Sequence, residues 1–467
     1  MTVCYWESRV PTFGDIEFKM IASKVHAFSH SGNIDEISID LSTVRHTFAK
    51  GIVPLIAYCD FQRANGVEVR VDLPQLSDQR EYWERVGWSQ LIIGEEPPPL
   101  DVHKSYLPVQ RFSTYSEQER IVNAAQEVIA RQVTCEKGVL DGIMWTLQEL
   151  AYNVIVHSVD GGKSPTGYFQ VVGHPNTDWI ELVVSDGGRG IRHSLHSYKI
   201  VNSDKDAIQL AIQQGVTRDP AAGAGNGLAG SVNITEAAAG EMKIFSGAAE
   251  VHIRGIGQLE IYDCGHVPGT TVLVELPTAK PLDLSKALFG APPLPAFEMS
   301  YVLDDKHVLF TVMSEAEGFG TRDSGRELRT KLKNIVTEYP DSRILIDFEG
   351  LDVPSASFLD EFLGRLAIES GGFIPFSRRY GLVNTSSFVE RSLEHVLKQR
   401  FEHEDGTNRT RFVTGQTEGT DASSEPQAVD PGAELVSNLE RLGTLREQGV
   451  LTQEEFDHLK ERLLAKL

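Results

Sequence analysis

Hydrophobic positions along the chain change period several times, and each change marks an element. In Ile37-Ser-Ile-Asp-Leu41 they alternate, which predicts a strand with one buried face. From Phe48 to Ala64 they recur at helical spacing, as at Val53, Ile56 and Ala57. Gly66-Val-Glu-Val-Arg-Val-Asp-Leu73 returns to period 2. Strand, helix and strand with short links predict a βαβ unit. The prolines between Glu95 and Pro99 read as the approach to a linker.

The pattern then shifts to long helices, over 117–135 and 139–158. Strand-like runs follow at Tyr168 to Gly173 and Trp179 to Ser185, around a turn at 174–178. A glycine-rich stretch covers 223–230. Three or four strands are expected between Glu241 and Leu276, divided at Gly247, Gly255 and 265–269. This order predicts an α/β segment whose sheet is covered on one side, not an alternating parallel fold. Ala291-Pro-Pro-Leu-Pro295 marks the next boundary. Beyond it come a buried-type strand at Arg343 to Asp347, an amphipathic helix from Phe358 to Ile368 and a further strand at 371–376. That order resembles the one at 37–73, which leaves a duplicated module open, although the identity is too low for an internal repeat.

From about 403 to 432 the chain has few apolar residues and reads as a flexible linker. The last segment reads as a helical hairpin. Leu435, Leu439, Leu442 and Leu445 recur at helical spacing, and Gly449 breaks the run. Thr452-Gln-Glu-Glu455 has the spacing of a capping box that opens a helix bearing Phe456, Leu459, Leu463 and Leu464. The expected layout is 1–112, 117–280, 296–401, a linker over 402–432 and the hairpin over 433–467.

Composition narrows the function classes. The 467 residues are 41% hydrophobic and 24% charged, enough to build several cores. The 66 acids exceed the 44 bases and leave a net charge of −22, which makes nucleic acid and acidic membrane surfaces poor partners. Cys4, Cys59, Cys135 and Cys264 form no CxxC pair, so zinc and redox motifs are unsupported. Residues 1–19 lack a basic-then-apolar signal pattern, and the longest apolar stretch, near Ile52 to Cys59, is too short to span a bilayer. The expectation is a cytoplasmic protein.

Four elements carry candidate chemistry. In the helix 139–158, Glu149, Asn153 and His157 fall on one side at i, i+4 and i+8. A carboxylate beside an amide oxygen on a rigid helix can orient a water and complete a hydrated Mg²⁺ shell. Such a stripe is also the ordinary solvated face of an amphipathic helix. Asp186-Gly-Gly-Arg-Gly190 follows a strand directly. Its carboxylate can accept from an exocyclic amine, and its glycines let the backbone approach a flat ring. Gly223-Ala-Gly-Asn-Gly-Leu-Ala-Gly230 offers backbone N–H groups and a following helix start to phosphates. It is neither a Rossmann fingerprint nor a P-loop, since no strand immediately precedes it and no Lys-Ser or Lys-Thr follows. Gly269-Thr-Thr271 opens the strand Val272 to Leu276.

In this order, ExxxN on a helix, DxGxG, GxGxGL and GT before a last strand, residues 117–280 resemble the GHKL ATPases. That superfamily includes gyrase, histidine kinases and anti-sigma-factor kinases. The resemblance implies a Bergerat-type α/β sandwich that takes ATP with Mg²⁺. It casts Asn153 as the Mg²⁺ ligand and Glu149 as the residue that positions or activates the attacking group. It makes Asp186 the adenine-recognising aspartate, with Gly188 and Gly190 under the base. Gly223, Gly225, Gly227 and Leu228 fall on the phosphate-facing lid hinge, and Thr270 or Thr271 on the threonine of the adenine water network. His157 matches the histidine closing the first motif. The segment 206–218 is similar to the lid region of the anti-sigma-kinase branch.

The flanks resemble STAS domains. Asp347-Phe-Glu-Gly-Leu351 with Ser355-Ala-Ser-Phe-Leu-Asp-Glu361 looks like an anti-sigma-factor antagonist, which makes Ser355 and Ser357 candidate phosphoacceptors although neither falls squarely on the family's position. Asp40-Leu-Ser-Thr-Val44 looks like the same strand in a first copy, where Phe48-Ala49 replaces the expected Asp-Ser. The C-terminal hairpin is similar to the SHOCT element. Its leucine faces are expected to seek a second copy, so the chain is read as a homo-oligomer. The architecture is therefore expected as α/β (α+β): a Bergerat ATPase between two STAS-like domains, which meet protein partners, and a terminal hairpin.

Three functions follow from the resemblance: a hydrolysing ATP-driven switch, a serine/threonine kinase acting on a STAS hydroxyl, and a nucleotide sensor without turnover. In the switch, nucleotide would order a lid over 195–230. A histidine kinase fits less well, because no dimerising helix with a phosphoacceptor histidine precedes residue 120; His26, His30 and His46 sit in βα surroundings. DNA work of the gyrase kind is disfavoured by the net charge and by the missing transducer domain.

Overall fold

The computed structural model describes residues 2–30, 32–101, 106–158, 166–196, 201–213, 227–288, 290, 301–304, 306–316, 318–351 and 353–401. The expected linker, the hairpin, and Gly223 and Gly225 lie outside the described residues. What is described is mixed α/β with several small sheets. The chain divides into two compact units. One comprises Met1–Phe297 with Thr330–Glu338, the other Glu298–Arg329 with Tyr339–Leu467.

The first unit opens with β1 (Val3–Glu7), α1 (Asp15–Ser29), β2 (Glu36–Asp40), α2 (Ala49–Ala64) and β3 (Glu68–Asp72). The three strands are parallel in the order β1-β2-β3. Cys4, Trp6, Ile37 and Ile39 are buried beneath them. Two short helices follow, α3 (Ser77–Arg85) and α4 (Trp88–Ile93).

The larger sheet is antiparallel. It is built from β4 (Gln110–Phe112), β5 (Gly167–His174), β6 (Trp179–Asp186), β7 (Glu241–Arg254) and β8 (Leu259–Pro277), in the order β4-β5-β6-β8-β7. Between these strands run α5 (Tyr115–Gln132), α6 (Val139–His157), α7 (Gly190–His196), α8 (Asp204–Ala211) and α9 (Gly227–Ala237). Thr114 caps α5 with a reciprocal Glu117 contact. Beyond the C-terminus of α5, Asn334 accepts the Cys135 N–H at 2.7 Å and donates to the Ala130 and Val133 carbonyls, so groups that the helix leaves open are satisfied.

Coverage of this sheet differs from the one-sided packing expected. Ile180, Leu182 and Val184 of β6 join the core made with α5 and α6. Val183 faces the other way, into a second core with α1 and α2. The cause is α2, buried from Gly51 through Cys59 without a polar position. A helix apolar all round must be covered all round. It packs against β3 of the small sheet and against β5 and β6 of the large one.

The stretch 241–276 holds two long strands, not three or four. Gly247, with φ +64°, lies opposite Val267, where the register of β7 and β8 slips. The glycine bends the ladder there without ending it.

The second unit is built around β9 (His307–Thr311), β10 (Arg343–Asp347) and β11 (Tyr380–Val383), parallel in that order. The strand expected at 371–376 is instead the start of a helix, Phe373–Arg379, and β11 begins after it. Gly371 and Gly372, at φ +85° and +114°, end one helix and start the next. A short apolar run such as Phe373-Ile-Pro-Phe376 cannot be told apart by period alone. The two parallel sheets share a feature. Each middle strand ends in an aspartate that accepts the N–H two residues on: Asp40 from Ser42 at 2.8 Å and Asp347 from Glu349 at 3.0 Å.

Candidate functional site

Helix α6 carries Glu149, Asn153 and His157 as half-buried residues on one side. Its other side, with Leu140, Leu147, Leu150 and Ala151, is in the core. Helix α9 lies along it because Gly227 and Gly230 in its first turn leave room for α6 side chains. A Cβ on Gly227 would run into Glu149 Oε2, and one on Gly230 into the Trp145 ring. Gly227 therefore brings the glycine-rich motif to the carboxylate, while Leu228 packs at the rim of the core. Burial holds the Glu149 carboxyl above its ordinary range.

Asp186 ends β6 and is buried. Its Oδ1 accepts the Gly188 N–H at 2.7 Å, and the Thr270 backbone N–H on β8 also donates to the carboxylate. The register pairs Thr270 with Asp186 and Thr271 with Ser185. Burial pushes the Asp186 carboxyl up to about 7, against the pull of these two N–H groups. The result is one carboxylate of fixed orientation, close to neutrality in its ionisation.

The glycines around it are there for close approach. A Cβ on Gly188 would lie 2.7 Å from Ser158 Cβ and 2.8 Å from Asp186 Oδ1. Gly190 adopts φ +74°, and a Cβ there would lie 2.9 Å from Ser246 Oγ. Gly269, at φ +72°, sits directly on the Asp186 carbonyl. The two threonines differ: the Thr271 hydroxyl is engaged by Ser185 Oγ at 2.7 Å, while Thr270 is half-buried with its Oγ1 3.3 Å from Ser246 Oγ.

The described parts of the four expected motifs thus meet. The C-terminal end of α6 touches the Asp186 loop through Ser158, the loop pairs with Thr270, and α9 touches Glu149. Two serines escaped the sequence reading. Ser246 donates to the Gly269 carbonyl at 2.7 Å and accepts the Ile191 N–H at 2.9 Å, tying α7, β7 and β8 together. Ser158 is buried beside Gly188 with no hydrogen-bond partner for its hydroxyl among the described residues. Ser246 had one available signal, its place between the strand residues Ile244-Phe245 and the kink at Gly247.

In the second unit Ser355 is an N-cap. Its Oγ accepts the Phe358 N–H at 3.0 Å and donates to the Gly320 carbonyl at 3.0 Å. Ser357, in the first turn of the helix Ala356–Leu359, is exposed.

Among the described residues no three His, Cys, Asp or Glu side chains are grouped to hold a metal by themselves. A Mg²⁺ ion carried by nucleotide phosphates asks for only one or two protein oxygens. No helix of the described residues is long and apolar enough to cross a membrane.

Residues 437–464 match the SHOCT family, a short C-terminal domain. No curated protein matches the chain.

Proposed function

We propose that this chain is an ATP-binding regulatory protein, with a GHKL-type site formed by α6, the loop after β6, α9 and the start of the Thr270 to Leu276 strand. Asp186 carries the reading: a buried carboxylate at a strand end, oriented by two backbone N–H groups, with glycines where a flat base would lie. The Ser158 hydroxyl beside it, without a partner among the described residues, and the close Glu149–Gly227 approach fit a purine nucleotide whose phosphates reach α9. Asn153 would hold Mg²⁺, which offsets phosphate charge when bound. Glu149, raised by burial, would orient a water and take its proton.

The same reading makes the two parallel-sheet segments STAS-like partner-binding modules, supported by their shared strand order and aspartate turns. ATP would act as a switch by binding two states of the chain unequally. Kinase activity toward a STAS hydroxyl is the second reading, favoured by the exposed Ser357 at a helix start; the Ser355 hydroxyl is already engaged as a cap. Incubation with γ-labelled ATP and Mg²⁺ decides between them. Free phosphate without a gain in intact mass supports the hydrolytic switch. Phosphate retained on the chain, lost in Ser357→Ala, supports the kinase. Neither product, with ATP still bound, leaves the sensor.

The SHOCT segment would join copies of the chain. A helical hairpin of this length would bury too little surface to stand alone, and leucine stripes on it would need a partner. Truncation after Gly432 is expected to lower the oligomeric state and leave ATP affinity unchanged. Light scattering that shows the same assembly for both proteins removes the segment from that role.

A further inference from the structure

Helix α2 touches the loop that orients Asp186. A Cβ on Gly187 would stand 2.6 Å from Phe61 Cβ and 3.2 Å from the Ala57 carbonyl oxygen. Gly187 does not adopt positive φ, so it is the neighbour and not the backbone that demands glycine. The DxGxG resemblance leaves this position open; here α2 closes it. The same helix is fastened to the strands behind the loop. At its first turn the Lys50 N–H donates to Glu181 Oε1 at 3.2 Å, and Lys50 Nζ pairs with Glu275 at 3.2 Å. Toward its end Asp60 hydrogen-bonds the Tyr168 side chain. Tyr168 pairs with Ser185, and Glu181 and Ser185 lie on the strand that ends in Asp186.

We propose that α2 is a positioning element for nucleotide recognition: Phe61 and Ala57, acting through Gly187, hold the Asp186 carboxylate where it accepts from the base. This rests on the ATP-binding reading above. A shift of α2 then changes nucleotide affinity, and bound nucleotide steadies α2 in return, because coupling between two sites is reciprocal. The N-terminal segment becomes the place from which a partner could tune the site.

Calorimetry with Mg-ATP tests this on the full chain. Gly187→Ala should weaken binding roughly tenfold or more, the consequence of overpacking a contact that cannot give. Adding Phe61→Gly removes the opposing Cβ, so that the added methyl group takes its place between loop and helix, and should restore affinity to within about threefold of wild type. In an Asp186→Asn background, Gly187→Ala should have no further effect, because the group it displaces is gone; general destabilisation would still weaken binding there. Hydrogen exchange needs no glycine variant: ATP should slow exchange over 49–64 in wild type and fail to do so in Asp186→Asn. Wild-type affinity in Gly187→Ala, a loss that Phe61→Gly does not repair, or exchange over 49–64 unmoved by ATP each overturns the role of α2 while the site stands. A wild-type chain that binds no ATP overturns the site and this role together.

Discussion

Asp186→Asn is expected to lower ATP affinity about ten- to a hundredfold at pH 8, and by much less at pH 6. The first part is the loss of a charge-assisted hydrogen bond to the base amine, about 1.5–3 kcal/mol. The second follows from burial, which pushes the Asp186 carboxyl up to about 7. The ionised form makes the charge-assisted bond, whereas the neutral acid accepts more weakly through its carbonyl oxygen. Below pH 7, wild-type affinity should therefore fall by up to about tenfold per unit, while the asparagine variant lacks this component. The stability of the free chain depends on pH with the opposite sign. A folded-state pKa above the unfolded one means that the folded chain keeps its proton longer. That contribution is fully present at low pH and is lost as pH rises through about 7. Bound adenine offsets the lost contribution by pairing with the charged form. Calorimetry with a non-hydrolysable ATP analogue between pH 6 and 8 measures both effects. A triphosphate of unsubstituted purine riboside, which lacks the amine, should bind the two proteins alike. Equal ATP affinity of variant and wild type at pH 8 would remove Asp186 from the site.

The strands and helices that place these residues were legible where period and length agreed. The helix at 139–157 and the strand ending in Asp186 were readable to within a residue, because each carries a long run bounded by glycine or a turn. The second face of the sheet was not inferred, although its signal was present. Gly51 to Cys59 has no polar position, and so cannot be the outer helix of a single small sheet. Glycines were read too simply as breaks. Gly247 bends a strand, Gly187 makes room for α2, and Gly227 makes room for Glu149; only the partners of a glycine reveal which. Ser246 and Ser158 were invisible for the same reason. A serine acts here through what lies across the sheet or beyond the helix end, and neither neighbour is near it in sequence.

Glu149→Gln should separate chemistry from binding. The amide is nearly isosteric, so the close approach of Gly227 to this side chain is retained and α9 keeps its seat on α6. What is lost is an oxygen able to take a proton. If Glu149 is the base for an attacking water, turnover should fall by about 10²–10⁴, with ATP affinity within roughly threefold of wild type. Burial raises the Glu149 carboxyl, which brings it nearer to the working pH of a general base. Wild-type turnover should accordingly increase as pH rises through that raised pKa, and the small residual rate of the glutamine variant should lack that dependence. Asn153→Ala should do the reverse, weakening Mg²⁺-dependent binding, since on the proposed reading its amide oxygen would act on the ion and not on the proton. The pair of variants tests the side-by-side placement on α6 as chemistry. A solvated stripe would give two mild phenotypes of the same kind. An unchanged rate in Glu149→Gln would strip this carboxylate of its role in hydrolysis and leave a protein that senses ATP without consuming it.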